Sequence, residues 1–185
     1  MNAKSTLKLN NGVEIPVIGL GTYLSHPGTD TYNAVMTALQ IGYRHIDTAT
    51  FYKNEADIGK AIKDSGIPRE QIFITTKVWN GDQGYDNTLK AFEKSRKLLG
   101  VDKIDLYLIH WPQTYTRKET WKAFEKLNEH GHARSIGVSN YTIKHLNELF
   151  EYAGVIPVVN QVEFSVFLYQ KELKDFCEKK GIFIE

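Results

Sequence analysis

The chain has 185 residues, 42% hydrophobic and 24% charged, which is the length and composition of one globular domain and not of a disordered or fibrous chain. With 23 Lys and Arg against 22 Asp and Glu it carries no overall field for nucleic acid or an anionic membrane, and no apolar run approaches the roughly 20 residues of a membrane span. A single cysteine, Cys177 in KDFCEKKG, excludes an intrachain disulfide and a cysteine metal cluster; it reads as a buried structural thiol, and the chain as cytoplasmic.

In chain order, TLKLNNGVEIPVIG reads as two short strands about an Asn-Asn-Gly turn, a hairpin signal. Strand-like runs rich in branched and aromatic residues then recur at 17–22, 43–47, 72–79, 104–111, 133–140, 157–164 and 181–185. Helix-like segments separate them. In GYDNTLKAFEKSRKLLG, for example, Leu89, Phe92 and Leu99 recur near helical spacing and Gly100 closes the end. Repeated βα units of about 30 residues imply a parallel sheet covered by helices, because parallel strands need long crossovers.

Two architectures fit that alternation. A doubly wound sheet would use GLGTYL as a phosphate loop, but the third glycine that should open a helix is absent. A (β/α)8 TIM barrel fits better, over residues 1–185 as one partial domain: the hairpin plus seven strands, the last cut short. Barrel chemistry gathers at the C-terminal ends of the strands. Those ends carry Thr22, Asp47, Lys77, His110, Ser139 with Asn140, and Gln161 in succession.

A tyrosine titrates near 10 in water and is a poor proton donor at neutral pH unless its anion is stabilised. Lys77 beside Tyr52 would lower its pKa, and Asp47 would keep Lys77 charged. His110 could donate to a carbonyl oxygen and orient it toward Tyr52, while Trp79 and Trp111 supply apolar walls. In the same loop, Asn54 reads as the cap of the next helix. His130 and His132 lie on the opposite rim without acidic partners at ligand spacing, so no metal site is expected.

The motifs GLGT, DTATFYKNE, ITTKVWN, DLYLIHWP, IGVSNY and VNQVEF occur in order along the whole chain, and with them the sequence resembles the aldo-keto reductase superfamily. The short connection QTYTRKETW resembles the bacterial and protozoan branch of 2,5-diketo-gluconate reductases, glyoxal reductases and prostaglandin F synthases. The resemblance implies an NADPH-dependent carbonyl reductase, NADH remaining open, acting on a small carbonyl substrate. Its catalytic tetrad would fall on Asp47, Tyr52, Lys77 and His110, with Tyr52 as general acid. Gly21, Thr22, Asp47, Ser139, Asn140 and Gln161 would serve the cofactor; Tyr23, Tyr52, Trp79, His110 and Trp111 would face the substrate. Ser165 and Val166 stand where relatives commonly carry His-Pro.

Against a barrel of about 250 residues, GIFIE stops inside the seventh strand. The expectation is therefore a fragment of a longer reductase, monomeric when intact, whose cut chain self-associates and binds NADPH weakly. Two rivals stand beside it: an inactive binding protein on the reductase scaffold, and a class I aldolase using Lys77 as a Schiff-base nucleophile.

Overall fold

A strand turns successive side chains to opposite faces, and this period of two sorts the chain into a barrel interior and a helix-facing exterior. In the computed structural model, which describes residues 5–185, the expected hairpin comes first, β1 (Thr6–Lys8) pairing antiparallel with β2 (Glu14–Pro16). Seven parallel strands follow, hydrogen-bonded in sequence order: β3 (Leu20–Gly21), β4 (His45–Asp47), β5 (Phe73–Val78), β6 (Ile104–Ile109), β7 (Ala133–Ser139), β8 (Val159–Gln161) and β9 (Phe183–Ile184). Helices α1 (Thr29–Gln40), α2 (Glu55–Asp64), α3 (Tyr85–Leu99), α4 (Arg117–Glu129), α5 (Ile143–Phe150) and α6 (Lys171–Lys179) make the crossovers. The result is a curled parallel sheet, an incomplete (β/α)8 barrel with β3 and β9 at its edges.

Several strands are shorter than their apolar runs. Of residues 17–22 only Leu20 and Gly21 form a regular strand, and of 157–164 only Val159–Gln161, although single backbone bonds such as Thr22 N–H to Asp47 O and Val158 N–H to Ile136 O flank them. Parity nevertheless holds throughout. Ile46, Ile74, Val78, Tyr107, Ile109, Ile136 and Val138 face outward into the main core with Ile58, Phe92, Trp121, Phe124 and Leu146 of the helices. Within α3, Phe92 and Leu99 are buried, Leu89 packs partly, and Gly100 closes the helix at φ 66°.

The inward face is filled at its lower end by Phe73, Leu106, Leu108 and Val159, on which Leu9 and Ile15 of the hairpin segment pack. The turn residues anchor this plug. Asn10 Nδ2 donates to Pro157 O and Gly181 O, and Asn11 Nδ2 to Arg134 O and Ser135 Oγ, tying the hairpin to the starts of β7, β8 and β9. Below the sheet, buried Asp105 accepts from Arg69, Arg134 and the Ile74 amide. One end of the barrel is thereby closed, and polar inward side chains collect at the other.

Close approach at Gly137 keeps β6, β7 and β8 in register. A Cβ there would sit 2.7 Å from Val159 O and 2.8 Å from Leu108 Cδ2. Gly137→Ala should therefore destabilise the fold by about 2 kcal/mol through overpacking. The measurement is the midpoint of urea unfolding; an unchanged midpoint would show that the strands can part without cost.

Candidate active site

A cavity of about 1030 Å³ runs along the opening between the edges β3 and β9, from Ile15 and Pro16 of the hairpin up to the C-terminal strand ends, where it forms a cleft. Inward parity delivers Asp47 at the end of β4, Lys77 on β5, Ser139 at the end of β7 and Gln161 at the end of β8; His110 follows β6, its amide donating to Val78 O at 3.3 Å. Tyr52 reaches the same place by another route. It ends a 3-10 turn, Thr50–Tyr52, that is stopped by Lys53 in the left-handed region at φ 58°. The other non-glycine residues with positive φ, Leu24 and Asn140, directly follow Tyr23 and Ser139. All three positions thus adjoin cleft residues, where unusual backbone re-aims a side chain at a cost of order 1 kcal/mol each.

Lys77 is 1% exposed, and its Nζ donates to Asp47 Oδ1 at 2.5 Å and to Thr48 O at 2.9 Å. A buried ammonium without such acceptors would be several kcal/mol too costly to keep. The same Nζ lies 5.4 Å from the centroid of the Tyr52 ring. Asp47 uses its second oxygen as well, accepting from Gln161 Nε2 at 2.9 Å. A carboxylate between an ammonium and an amide is fixed at both oxygens, and it in turn fixes Lys77.

Burial pushes the Tyr52 phenol above its ordinary value; Lys77 opposes that rise and Asp47 adds to it. The expected lowering by Lys77 is therefore present but smaller than desolvation, and the net direction is the reverse of the one the sequence suggested. His110 goes the other way for a cation. Burial first, and the Lys77 charge second, bring its pKa down to about 4, so the ring is neutral at pH 7. Its Nδ1 is buried without a partner among the described residues, leaving Nε2 as the ring nitrogen that can meet a ligand.

Aromatic rings wall the cleft. His110 meets Tyr52 edge-on at 5.7 Å and Trp79 at 5.2 Å, and Tyr23 leans on Tyr52 at 5.2 Å. Trp111 is half exposed at the mouth, its carbonyl held by Gln83 Nε2 at 2.7 Å. Gly21 borders the cleft, and a Cβ added to it would meet nothing within 4 Å. Thr22 does not join this lining: it is buried, and its hydroxyl donates to Asp47 O at 3.0 Å.

Three features escaped the sequence reading. Phe51, one residue before Tyr52, stacks on Trp79 with centroids 3.9 Å apart, and a second aromatic in the loop was its available signal. Glu185 accepts from Gln161 Nε2 at 3.0 Å; the parity of the last apolar run points it inward. Asn54 stands at the N-cap position of α2, but its side chain makes no cap. It accepts from Thr48 Oγ1 at 2.8 Å and donates to Thr22 O at 3.0 Å, binding the Tyr52 loop to the end of β3. Elsewhere Cys177 is buried beside Asn160, Tyr141 packs at 1% exposure, and His130 and His132 are exposed.

An incomplete (β/α)8 barrel whose polar and aromatic groups converge at the C-terminal strand ends is the class that fold and site define. The aldo/keto reductase family model matches residues 17–184, and the chain belongs to that family. Over 182 residues it is 53% identical to a glyoxal reductase of Bacillus subtilis, covering 98% of this chain and 66% of the relative. A 9,11-endoperoxide prostaglandin H2 reductase of Trypanosoma cruzi is 52% identical, with 95% and 62% covered. Among solved structures, an aldo-keto reductase enzyme from a Medee basin deep-sea metagenome library superposes with TM-score 0.94 at 55% identity, covering 97% of this chain and 66% of that one. A Bombyx mori aldo-keto reductase in complex with NADP gives TM-score 0.91 at 35% identity, with 97% and 64% covered. The chain thus spans about two thirds of the length of the proteins it matches.

The depressed His110 pKa carries a consequence for stability. Between about 6.5, its ordinary value, and about 4, the unfolded chain binds a proton at this position that the folded chain does not. The associated stability is complete above that window and is lost as pH falls through it. His110→Asn should flatten this part of the pH dependence of the urea midpoint; a slope equal to that of wild type would contradict the burial argument.

Proposed function

We propose that this protein reduces small aldehydes and ketones to alcohols with a nicotinamide cofactor, NADPH by the likeness to NADP-bound relatives, and that Tyr52 is the general acid. The observation that carries this reading is buried Lys77, paired with the partly exposed Asp47 and lying under a half-buried tyrosine, beside a neutral histidine in the same cleft. The family membership supports it, as do the glyoxal and prostaglandin reductases among its relatives.

The cleft's donor set suits a nicotinamide carboxamide. Asn140 Nδ2 donates to His110 O at 3.0 Å and to Ser139 Oγ at 3.1 Å, which leaves its Oδ1 to accept from an amide. Gln161 Nε2 is spent on two carboxylates, leaving Oε1 for the same purpose. Ser139 Oγ donates to Gln161 O at 2.9 Å and accepts from Asn140 Nδ2, which holds the two amide-bearing residues in place, and open space at Gly21 admits a flat ring. Thr22 and Asp47 support the ring site from behind. When bound, the cofactor supplies hydride to the carbonyl carbon.

Everything else is done by this chain. Trp79, Trp111, Tyr23 and Phe51 exclude water and hold the substrate's apolar part against the cleft wall. Neutral His110, with its hydrogen on Nε2, donates to the carbonyl oxygen and turns it toward Tyr52. An imidazolium there would repel Lys77, so a pKa near 4 keeps the ring in the useful form at neutral pH. Tyr52 then gives its proton to the oxygen, and the Lys77 ammonium stabilises the phenolate left behind. A phenol held above its ordinary value is protonated at pH 7, the state that reduction needs. Lys77 donates to Asp47 and Thr48 O, so a Schiff-base role would first have to break both contacts; the aldolase reading gains no support here.

Tyr52→Phe tests the assignment. NADPH oxidation with an aldehyde should fall by about a thousandfold, within the range of a lost general acid, while NADPH binding by tryptophan fluorescence is retained. Undiminished turnover in Tyr52→Phe rejects the acid role. A separate test is the pH profile: reduction should hold level through neutral pH and decline only in the alkaline range where Tyr52 ionises, whereas alcohol oxidation should climb with pH. Opposite slopes would place the proton on another group.

A further inference from the structure

Behind the cleft, on the helix side of β5, lies a buried carboxylate with no cation paired to it. Glu55, in the first turn of α2, is 2% exposed and makes no salt bridge among the described residues; Lys94 is the basic side chain whose charge favours its ionised form. Such burial costs stability that an apolar residue of the same size would not. Its neighbours are hydroxyls. Thr76 Oγ1 donates to Glu55 Oε1 at 2.7 Å, and this bond offsets part of the rise that burial imposes on the carboxyl group. Thr50 Oγ1 donates to Lys77 O at 3.0 Å, so the hydrogen in its 3.2 Å contact with Ser95 Oγ comes from Ser95.

These contacts link the two residues that must stay in register for proton transfer. Thr50 opens the 3-10 turn that Tyr52 closes, and Thr76 and Lys77 are consecutive on β5. From the cleft side the same loop is held by Lys77 Nζ on Thr48 O and by Asn54 on Thr48 and Thr22. Without the rear contacts the turn could rotate about those front anchors, carrying the phenol away from Lys77 while leaving the Asp47 pair intact.

We infer that Thr50 and Glu55 are positioning residues: Thr50 holds the Tyr52 turn to the Lys77 carbonyl and to Ser95, Glu55 holds Thr76 beside Lys77, and together, as a two-part tether, they set the separation of Tyr52 from Lys77. Neither side chain lines the cleft, so neither touches substrate or cofactor. Their effect falls on the chemical step alone. This rests on the reductase reading above and deepens it, because the register matters only if Tyr52 gives up a proton beside Lys77.

The test is steady-state NADPH-dependent reduction of an aldehyde by wild type, Thr50→Val, Thr50→Ser and Glu55→Gln, with NADPH affinity measured by fluorescence. Thr50→Val keeps the shape and removes the hydroxyl; Thr50→Ser keeps the hydroxyl. Loss of register should lower kcat roughly tenfold in Thr50→Val and Glu55→Gln. KM and the NADPH dissociation constant should stay within about twofold of wild type, and Thr50→Ser should restore kcat. Should Glu55→Gln fail to fold, Ser95→Ala removes the donor to Thr50 Oγ1 and should lower kcat in the same way. Wild-type kcat in Thr50→Val, or a loss in Thr50→Ser equal to that in Thr50→Val, overturns the tether. A parallel loss of NADPH binding in every variant also overturns it, since that marks general disruption. Absence of turnover in wild type would instead remove the reductase reading, and the tether with it.

Discussion

Lys77 cannot stay charged in this barrel unless something answers its charge, and that requirement organises the site. At 1% exposure the ammonium has exchanged water for Asp47 Oδ1 and the Thr48 carbonyl. Taking one partner away from a buried pair costs far more than the pair itself contributes, of order 3–5 kcal/mol, because the remaining charge is stranded. Strands β4 and β5 are therefore bound together at their C-terminal ends by more than ladder hydrogen bonds. The second oxygen of Asp47 extends the constraint across the barrel to Gln161 on β8.

The two ends of the barrel answer different needs. At the bottom, Leu9 and Ile15 plug the interior, the Asn10 and Asn11 amides tie strand starts together, and Asp105 gathers two arginines and a backbone amide. Those contacts satisfy both carboxylate oxygens of Asp105 and the side-chain amide nitrogens of Asn10 and Asn11. At the top, Asn140 Oδ1 and Gln161 Oε1 have no donor among the described residues, and the rings of Phe51 and Trp111 stand half exposed. Satisfied polar groups stabilise, whereas unsatisfied ones at the opposite rim are available to a ligand.

Electrostatics in the cleft turn on burial more than on pairwise attraction. Desolvation raises Tyr52 and lowers His110, so both uncharged forms are favoured and Lys77–Asp47 remains the charged element among them. An ion pair beside two neutral proton donors suits a reaction in which negative charge appears briefly on an oxygen. Glu55 lies on the far side of β5, where hydroxyls and not a cation meet it, so the lysine's field is left to act on Tyr52.

Strand parity and the order of the βα units were legible in the sequence because each depends on local spacing: alternating residues on a strand, a crossover between parallel neighbours. Period two alone puts Asp47, Lys77, Ser139 and Gln161 on one interior face, and the apolar runs alone separate the core from it. Which groups those side chains meet was settled by contacts between residues far apart in the chain. Asn54 could be read as a helix cap, yet its partners are Thr48 and Thr22, brought there by the curl of β3 against β4. Thr22 could be read as a cofactor contact, yet it faces Asp47 O; Phe51 acquires its role only by lying on Trp79. The sign of the Tyr52 shift belongs to the same group, since charge order can be read from a sequence but desolvation depends on what finally packs around the phenol. Sequence by itself determined the barrel, its inward face and the residue types available for chemistry, because these follow from periodicity and connection length. Only the tertiary structure decided which atoms are paired, which are left free and how far burial outweighs charge, because those depend on distances that no local pattern encodes.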